Sequence, residues 1–379
     1  MNFLAKKVEN LPPSGIRKFF DLVISAGPEV VSLGVGEPDF PTPWHIREAV
    51  IFALERGFTS YSENAGLLEL REEISQNIFK KTKKKFCAKS EILVTNGVSE
   101  AVDLAFRATT NSGEKILLPN PGYVMYEPLA KLAGAEIEFY DPRKIFEIEK
   151  KSAKAIFLNF PGNPLGNCFS KKEMEFLAKI CRAKNWLIFS DEIYAELSFS
   201  APHCSILHFS ELHEQIIFFD GLSKSHSMTG FRIGWAAGPK NLISGMTKIH
   251  QYSALCAPTP SQIGAIEALR RGENEVEKMK KKFAARRNLC IFELEKLKKF
   301  GVKFCKPAGA FYLFVDISAA KMSDVDFCEK LLVDEKLAIV PGSAFGRAGR
   351  GHVRITYAEN SEKLQIFFNR FSRFWKKNF

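Results

Sequence analysis

Seven short apolar runs, at residues 92–94, 116–118, 137–140, 155–158, 187–189, 216–219 and 233–237, punctuate the stretch between Glu91 and Gly238. Between them, residues 99–107 and 171–184 carry apolar side chains at i, i+3 and i+4, and Ser170 precedes the second run as an N-cap. Strands alternating with amphipathic helices predict an α/β fold on a mostly parallel, doubly wound sheet covered on both faces. After Gly272 the pattern changes to a long charged helix reaching about residue 299, a strand pair at 302–305 and 311–317, a helix, a last strand at 352–356 and a closing helix at 361–376. That order predicts a smaller α+β domain. The expected organisation is an N-terminal segment, 1–34, packing on the small domain; a large domain, 35–275; and a small domain, 276–379. With no low-complexity linker near 275, the boundary is expected to be a continuous helix.

A hydrophobic content of 46% over 379 residues is enough for cores of this size. The net charge of +11 raises the question of nucleic acid, but the lysines and arginines fall in short clusters, at 80–85, 278–287 and 376–377, beside helical patterns. They read as solvated helix faces, no nucleic-acid-binding motif accompanies them, and no nucleic-acid partner is expected. No apolar run approaches the roughly 20 residues that span a bilayer, and the opening residues lack a signal-like core, so no membrane association and a cytoplasmic location are expected. The eight cysteines form no C-x-x-C pair and no Cys/His ligand spacing, which argues against a zinc site, any other metal centre or a disulfide framework.

The chemistry concentrates after the apolar runs, where an open α/β sheet collects its ligands. Gly221-Leu222-Ser223-Lys224-Ser225-His226-Ser227 follows the run at 216–219. A lysine in such a confined turn is partly desolvated, which disfavours the ammonium and makes the amine a nucleophile suited to Schiff-base formation. Arg232, eight positions on and flanked by glycines, supplies an anion receptor to the same region. Gly97-Val98-Ser99 follows the run at 92–94 and opens a helix, a turn that aims unpaired N–H groups at an anion, although plain βα turns look the same. Asp191 comes two residues after the run at 187–189, with the hydroxyl of Tyr194 three residues later.

The run from Gly221 to Gly234 resembles the lysine signature of the class I and II aminotransferases, pyridoxal-phosphate enzymes of fold type I, and further matches follow in the family's order from Leu33 to about Ala358. The resemblance implies pyridoxal 5′-phosphate as cofactor, with Lys224 as its Schiff-base partner and Asp191 facing the pyridine nitrogen, where a carboxylate preserves the ring's electron-sink character. It implies that Asn163, in Asn159-Phe160-Pro161-Gly162-Asn163-Pro164, and Tyr194 hold the phenolic oxygen and that Tyr123 stacks on the ring. Gly97, Val98, Ser99 and Arg232 would hold the phosphate, with Tyr61 donated across a homodimer interface to the neighbouring subunit's phosphate. Gly36, Asn163 and Arg354 would meet the substrate, Arg354 pairing bidentately with its α-carboxylate. The runs at 307–312 and 341–346 look like segments lining the mouth.

There are departures. Leu165 stands where the family loop has threonine, Gly221 where a phosphate-binding serine is frequent, and Ser99 where some bacterial aspartate aminotransferases have a lysine that pairs with the distal carboxylate. The 141–154 connection is short. The implied function is transfer of an amino group from an L-amino acid to a 2-oxo acid in ping-pong order, with an aromatic, alanine or aspartate donor. Two rivals stay open at this stage. One is carbon–sulfur β-elimination on the same scaffold; the other is an inert cofactor-binding or interaction protein using its basic faces.

Overall fold

The computed structural model describes residues 3–11, 13, 15–16, 24 and 27–379. The central sheet has seven strands: β2 (Ile92–Thr95), β3 (Lys115–Pro119), β4 (Glu136–Tyr140), β5 (Ala155–Asn159), β6 (Leu187–Asp191), β7 (Ile216–Gly221) and β8 (Gly234–Ala237). Their order is β2-β8-β7-β6-β5-β3-β4. The sheet is mostly parallel as expected, except that β8 runs antiparallel to both neighbours, β2 and β7. Strands β2, β5 and β8 are buried along their whole length, as strands covered on both faces must be.

Alternate residues feed two cores. Ile216 and Phe218 of β7 join α1 (Trp44–Glu55), α2 (Leu68–Thr82), α5 (Lys171–Ala183) and α7 (Thr259–Arg271) on one face. Ile217 and Phe219 join α3 (Val98–Thr109), α4 (Tyr126–Leu132) and α6 (Lys240–Ser253) on the other. Helix α5 starts where its sequence says it should, because Ser170 and Glu173 form a reciprocal capping box.

A third core gathers α8 (Glu273–Glu295), α9 (Asp324–Glu335) and α10 (Ser361–Asn378) against β10 (Tyr312–Asp316) and β13 (His352–Thr356). These strands belong to an antiparallel sheet ordered β12-β13-β10-β9, with β9 at Lys303–Phe304 and β12 at Val340–Pro341. Around residue 275 the chain is helical without a break, in α8, which starts directly after Gly272, where α7 ends. Gly272 packs so closely on the Ala268 carbonyl and the His226 ring that a Cβ there would approach them to 2.5 and 2.6 Å. Of the N-terminal segment, β1 (Val31–Ser32) pairs with β11 (Leu337–Ala338), and Leu33 enters the third core. The single turn Lys6–Glu9 lies beside α4 instead, and residues 1–2, 12, 14, 17–23 and 25–26 of that expectation fall outside the described residues.

Within the basic clusters Lys80 pairs with Glu273, Lys81 with Glu196 and Lys278 with Glu275. The short 141–154 connection is made of 3₁₀ turns over Pro142–Lys150.

Candidate active site

The carboxyl ends of the parallel strands, together with β10 and β13, enclose a cavity of about 330 Å³. Strand β7 ends at Gly221, and the turn after it carries Lys224, whose Nζ donates to the Gly36 carbonyl at 2.8 Å. Burial pulls the amine down to about 8. The nearby Glu37 carboxylate works against that shift, while Arg354 and Arg232 reinforce it. The lysine is therefore poised between ammonium and free amine near neutral pH.

Strand β6 ends in Asp191, which is 3% exposed. Its carboxylate accepts from the Tyr126 hydroxyl at 2.7 Å and from the Ile193 N–H at 3.2 Å. Burial still raises it to about 6, with these two bonds opposing the rise. Asn159, at the end of β5, donates from Nδ2 to the Asp191 carbonyl at 3.2 Å and accepts from the Asn163 N–H at 3.0 Å. This fixes the loop bearing Asn163 against the Asp191 strand. The Asn163 side-chain oxygen accepts from Arg354 Nη1 at 3.0 Å, and Arg354 Nη2 donates to the Gly34 carbonyl at 2.6 Å. The Arg354 guanidinium is buried with its Nε–H unpaired. A buried charged donor left unpaired costs stability.

At the far end of the cavity, β8 runs back between β2 and β7 so that Gly234 lies opposite both Thr95 and Gly221. Gly97 caps α3 with φ +83°, where a Cβ would come within 2.6 Å of an Arg232 nitrogen. Arg232 itself adopts left-handed backbone, φ 52°, and its guanidinium bonds the carbonyls of Thr229 at 3.1 Å and Asn96 at 3.3 Å. The first intrahelical bonds of α3 are made by Glu100 and Ala101 to the Gly97 carbonyl, so the N–H groups of Val98 and Ser99 precede the helical ladder. A helix start, a glycine approach and a guanidinium thus converge as an anion cradle.

Gly36, Val98, Ser99, Tyr123, Asn163, Asp191, Tyr194, Lys224, Arg232 and Arg354 all line the one cavity, and Gly97 packs on Arg232 at its edge. Tyr61 does not join them: it is 81% exposed on the loop after α1. The sequence reading missed four neighbours. Tyr126 follows Tyr123 at i+3, a helical spacing that could have flagged a second ring on the same side. Asn159 is the strand-end residue of its own motif. Glu37, whose carboxylate accepts from the Thr229 hydroxyl, sits beside Gly36 in the lining. Tyr312, inside a run read only as mouth, places its hydroxyl 2.7 Å from that of Tyr194.

The donor set fits pyridoxal phosphate: an anion cradle, a buried carboxylate, a depressed-pKa lysine and a flat tyrosine ring share one cavity of cofactor size. Residues 28–371 match the family model for aminotransferase class I and II. The fold and this site define a fold type I, pyridoxal-phosphate-dependent transferase. The chain belongs to the class I and II aminotransferase family and is an aminotransferase that carries amino groups between amino acids and 2-oxo acids. The Bacillus subtilis protein YugH is 42% identical to it, with 99% of each chain covered. An aspartate aminotransferase of Pyrococcus abyssi is 37% identical over 98% of this chain and 97% of its own. The solved aromatic aminotransferase of Pyrococcus horikoshii superposes with a TM-score of 0.88 at 36% identity, covering 96% of this chain and 99% of that one.

Proposed function

We propose that Lys224 is the group that binds the cofactor covalently and then moves the proton of the substrate Cα, and that the surrounding residues divide the remaining tasks. Pyridoxal phosphate, when bound, supplies an electron sink for the charge left at Cα. Asp191 holds a proton on the pyridine nitrogen, Asn163 and Tyr194 donate to the phenolic oxygen, and Tyr123 covers the ring face. Gly97, Val98, Ser99 and Arg232 bind phosphate, joined by Tyr61 of a second copy in a homodimer. Arg354 and the Gly36 backbone orient the substrate carboxylate, so that the Cα–H faces the Lys224 amine. The observation that carries this reading is the Lys224 amine, depressed to about 8 and fixed 2.8 Å from the Gly36 carbonyl, in the same cavity as the unpaired Arg354 Nε–H.

The donor class falls among aromatic amino acids, alanine and aspartate. Ser99 at the phosphate end, in place of a lysine, favours the first two over strict aspartate specificity. We infer a division into a segment at 1–34, a large domain at 35–275 and a small domain at 276–379. A cytoplasmic setting suits eight unbridged cysteines. The test is spectral titration of the purified enzyme with single amino acids. Donors convert the visible band, and their ranking gives the specificity. Lys224→Ala should lower turnover by at least 10³-fold, on the order of losing a general base and covalent anchor together; turnover near the wild-type rate would remove Lys224 from the role.

A further inference from the structure

One buried side chain in the cavity has no task in the reading above. Tyr312, at the start of β10, is 1% exposed and touches three parts of the site at once. Its hydroxyl lies 2.7 Å from the Tyr194 hydroxyl. Its ring faces the Arg354 guanidinium at 4.5 Å. Its hydroxyl also occupies the space a Cβ at Gly36 would need, beside the carbonyl that anchors Lys224. Strand β10 is fixed by its register on β13, with Tyr312 opposite Thr356 and Phe314 opposite Arg354, so the tyrosine is held by the third core. Tyr194 follows β6 of the central sheet.

We propose that Tyr312 is a positioning residue that acts through two others: its hydroxyl sets the proton direction of Tyr194, and its ring supports Arg354 in the orientation that receives the substrate carboxylate. The inference rests on the roles given above to Tyr194 and Arg354. Two hydroxyls that share one hydrogen bond divide the labour, because whichever accepts keeps its own proton free to donate elsewhere. If Tyr312 donates, Tyr194 is left to donate into the cavity, and the pair is more polarised than either alone. The ring acts separately. An aromatic face against a buried guanidinium offsets part of its lost hydration without occupying an N–H. Gly36 completes the arrangement, since any larger residue there would push the hydroxyl off Tyr194.

Two substitutions separate the two actions. Tyr312→Phe keeps the ring and removes the hydroxyl. We expect the pH midpoint of the loaded enzyme's visible absorption to rise by about 0.5–1 unit, in the same direction as Tyr194→Phe and by less. Half-saturation by the best donor should stay within about twofold. Tyr312→Leu removes the ring as well, and half-saturation should rise about 5–20-fold with a smaller change in kcat. In the cofactor-free protein, Gly36→Ala should lower the melting temperature, and adding Tyr312→Phe should recover part of the loss, a readout independent of loading. The proposal is overturned if Tyr194→Phe moves the midpoint while Tyr312→Phe leaves it within 0.1 unit, or if Tyr312→Leu saturates like wild type. A Tyr194→Phe variant with an unmoved midpoint instead sinks the underlying role of Tyr194, and this inference with it.

Discussion

A carboxylate sealed inside a protein resists ionising unless donors are built around it. Asp191 has two, the Tyr126 hydroxyl and the Ile193 N–H, and still sits at about 6. Tyr126→Phe removes one bond to the charged form and so raises the carboxyl further. The acid limb of the kcat/KM profile should move up by about one pH unit, the size expected of a hydrogen bond to a charged group, and an unmoved limb would show that Tyr126 does not support the ionised form. The same residue leaves a mark on stability. Its pKa is higher folded than unfolded, so between about pH 4 and 6 the native state holds more protons, and stability falls as pH rises through that window. Asp191→Asn removes this loss. The cofactor-free variant should therefore melt above wild type at pH 7 and match it below about pH 4; melting scans across that range check the sign. Asp191 and Lys224 were legible in the sequence because strand-end position and residue type together specify a chemistry. Tyr126 and Tyr312 were not, because their meaning lies in a partner 65 or 118 residues away, and spacing along the chain does not encode such pairs.

At the scale of elements, the site depends on how closely β8 can run past the start of α3. A Cβ on Gly234 would come within 2.7 Å of the Val98 nitrogen and 2.9 Å of the Gly97 carbonyl carbon, both backbone atoms that cannot rotate away. Gly234→Ala must therefore push β8 and the helix start apart, at a cost of about 1–3 kcal/mol as for other overpacked sites. It also opens the anion cradle made by Gly97 and Arg232. We expect a lower denaturant midpoint and at least tenfold weaker cofactor binding in titrations of the cofactor-free protein; a loss of stability with unchanged affinity would separate the cradle from β8. The glycines of this region were visible as a motif. The antiparallel direction of β8 was not, because a four-residue apolar run carries burial but no direction. The change of pattern after Gly272 was visible too, but not why the residue there is glycine, which takes the approach of the His226 ring, 46 residues away in the chain, to explain.

Among the described residues of the whole molecule, one group of exposed apolar side chains draws on three neighbouring segments. Helix α1 exposes Trp44, Ile51 and Phe52; Phe58 and Tyr61 follow on the next loop, and Tyr252 and Leu255 stand at the end of α6. These segments are neighbours, since Asn64 donates to the Leu255 carbonyl at 2.8 Å and Thr259 donates to the Ser60 carbonyl at 2.7 Å. In the proposed homodimer a second copy would cover these residues and bring Tyr61 to the partner's phosphate. Phe52 is 51% exposed, so Phe52→Glu costs the isolated fold little while burying a carboxylate in any interface formed there. Sedimentation should then show the mass of a single chain, 42.7 kDa, with cofactor affinity reduced at least tenfold because one phosphate ligand is lost. A variant that stays dimeric would move the interface elsewhere. A monomer that binds cofactor as tightly as wild type would leave the patch as an interface and take Tyr61 out of the phosphate site, so affinity and mass must be measured on the same preparation.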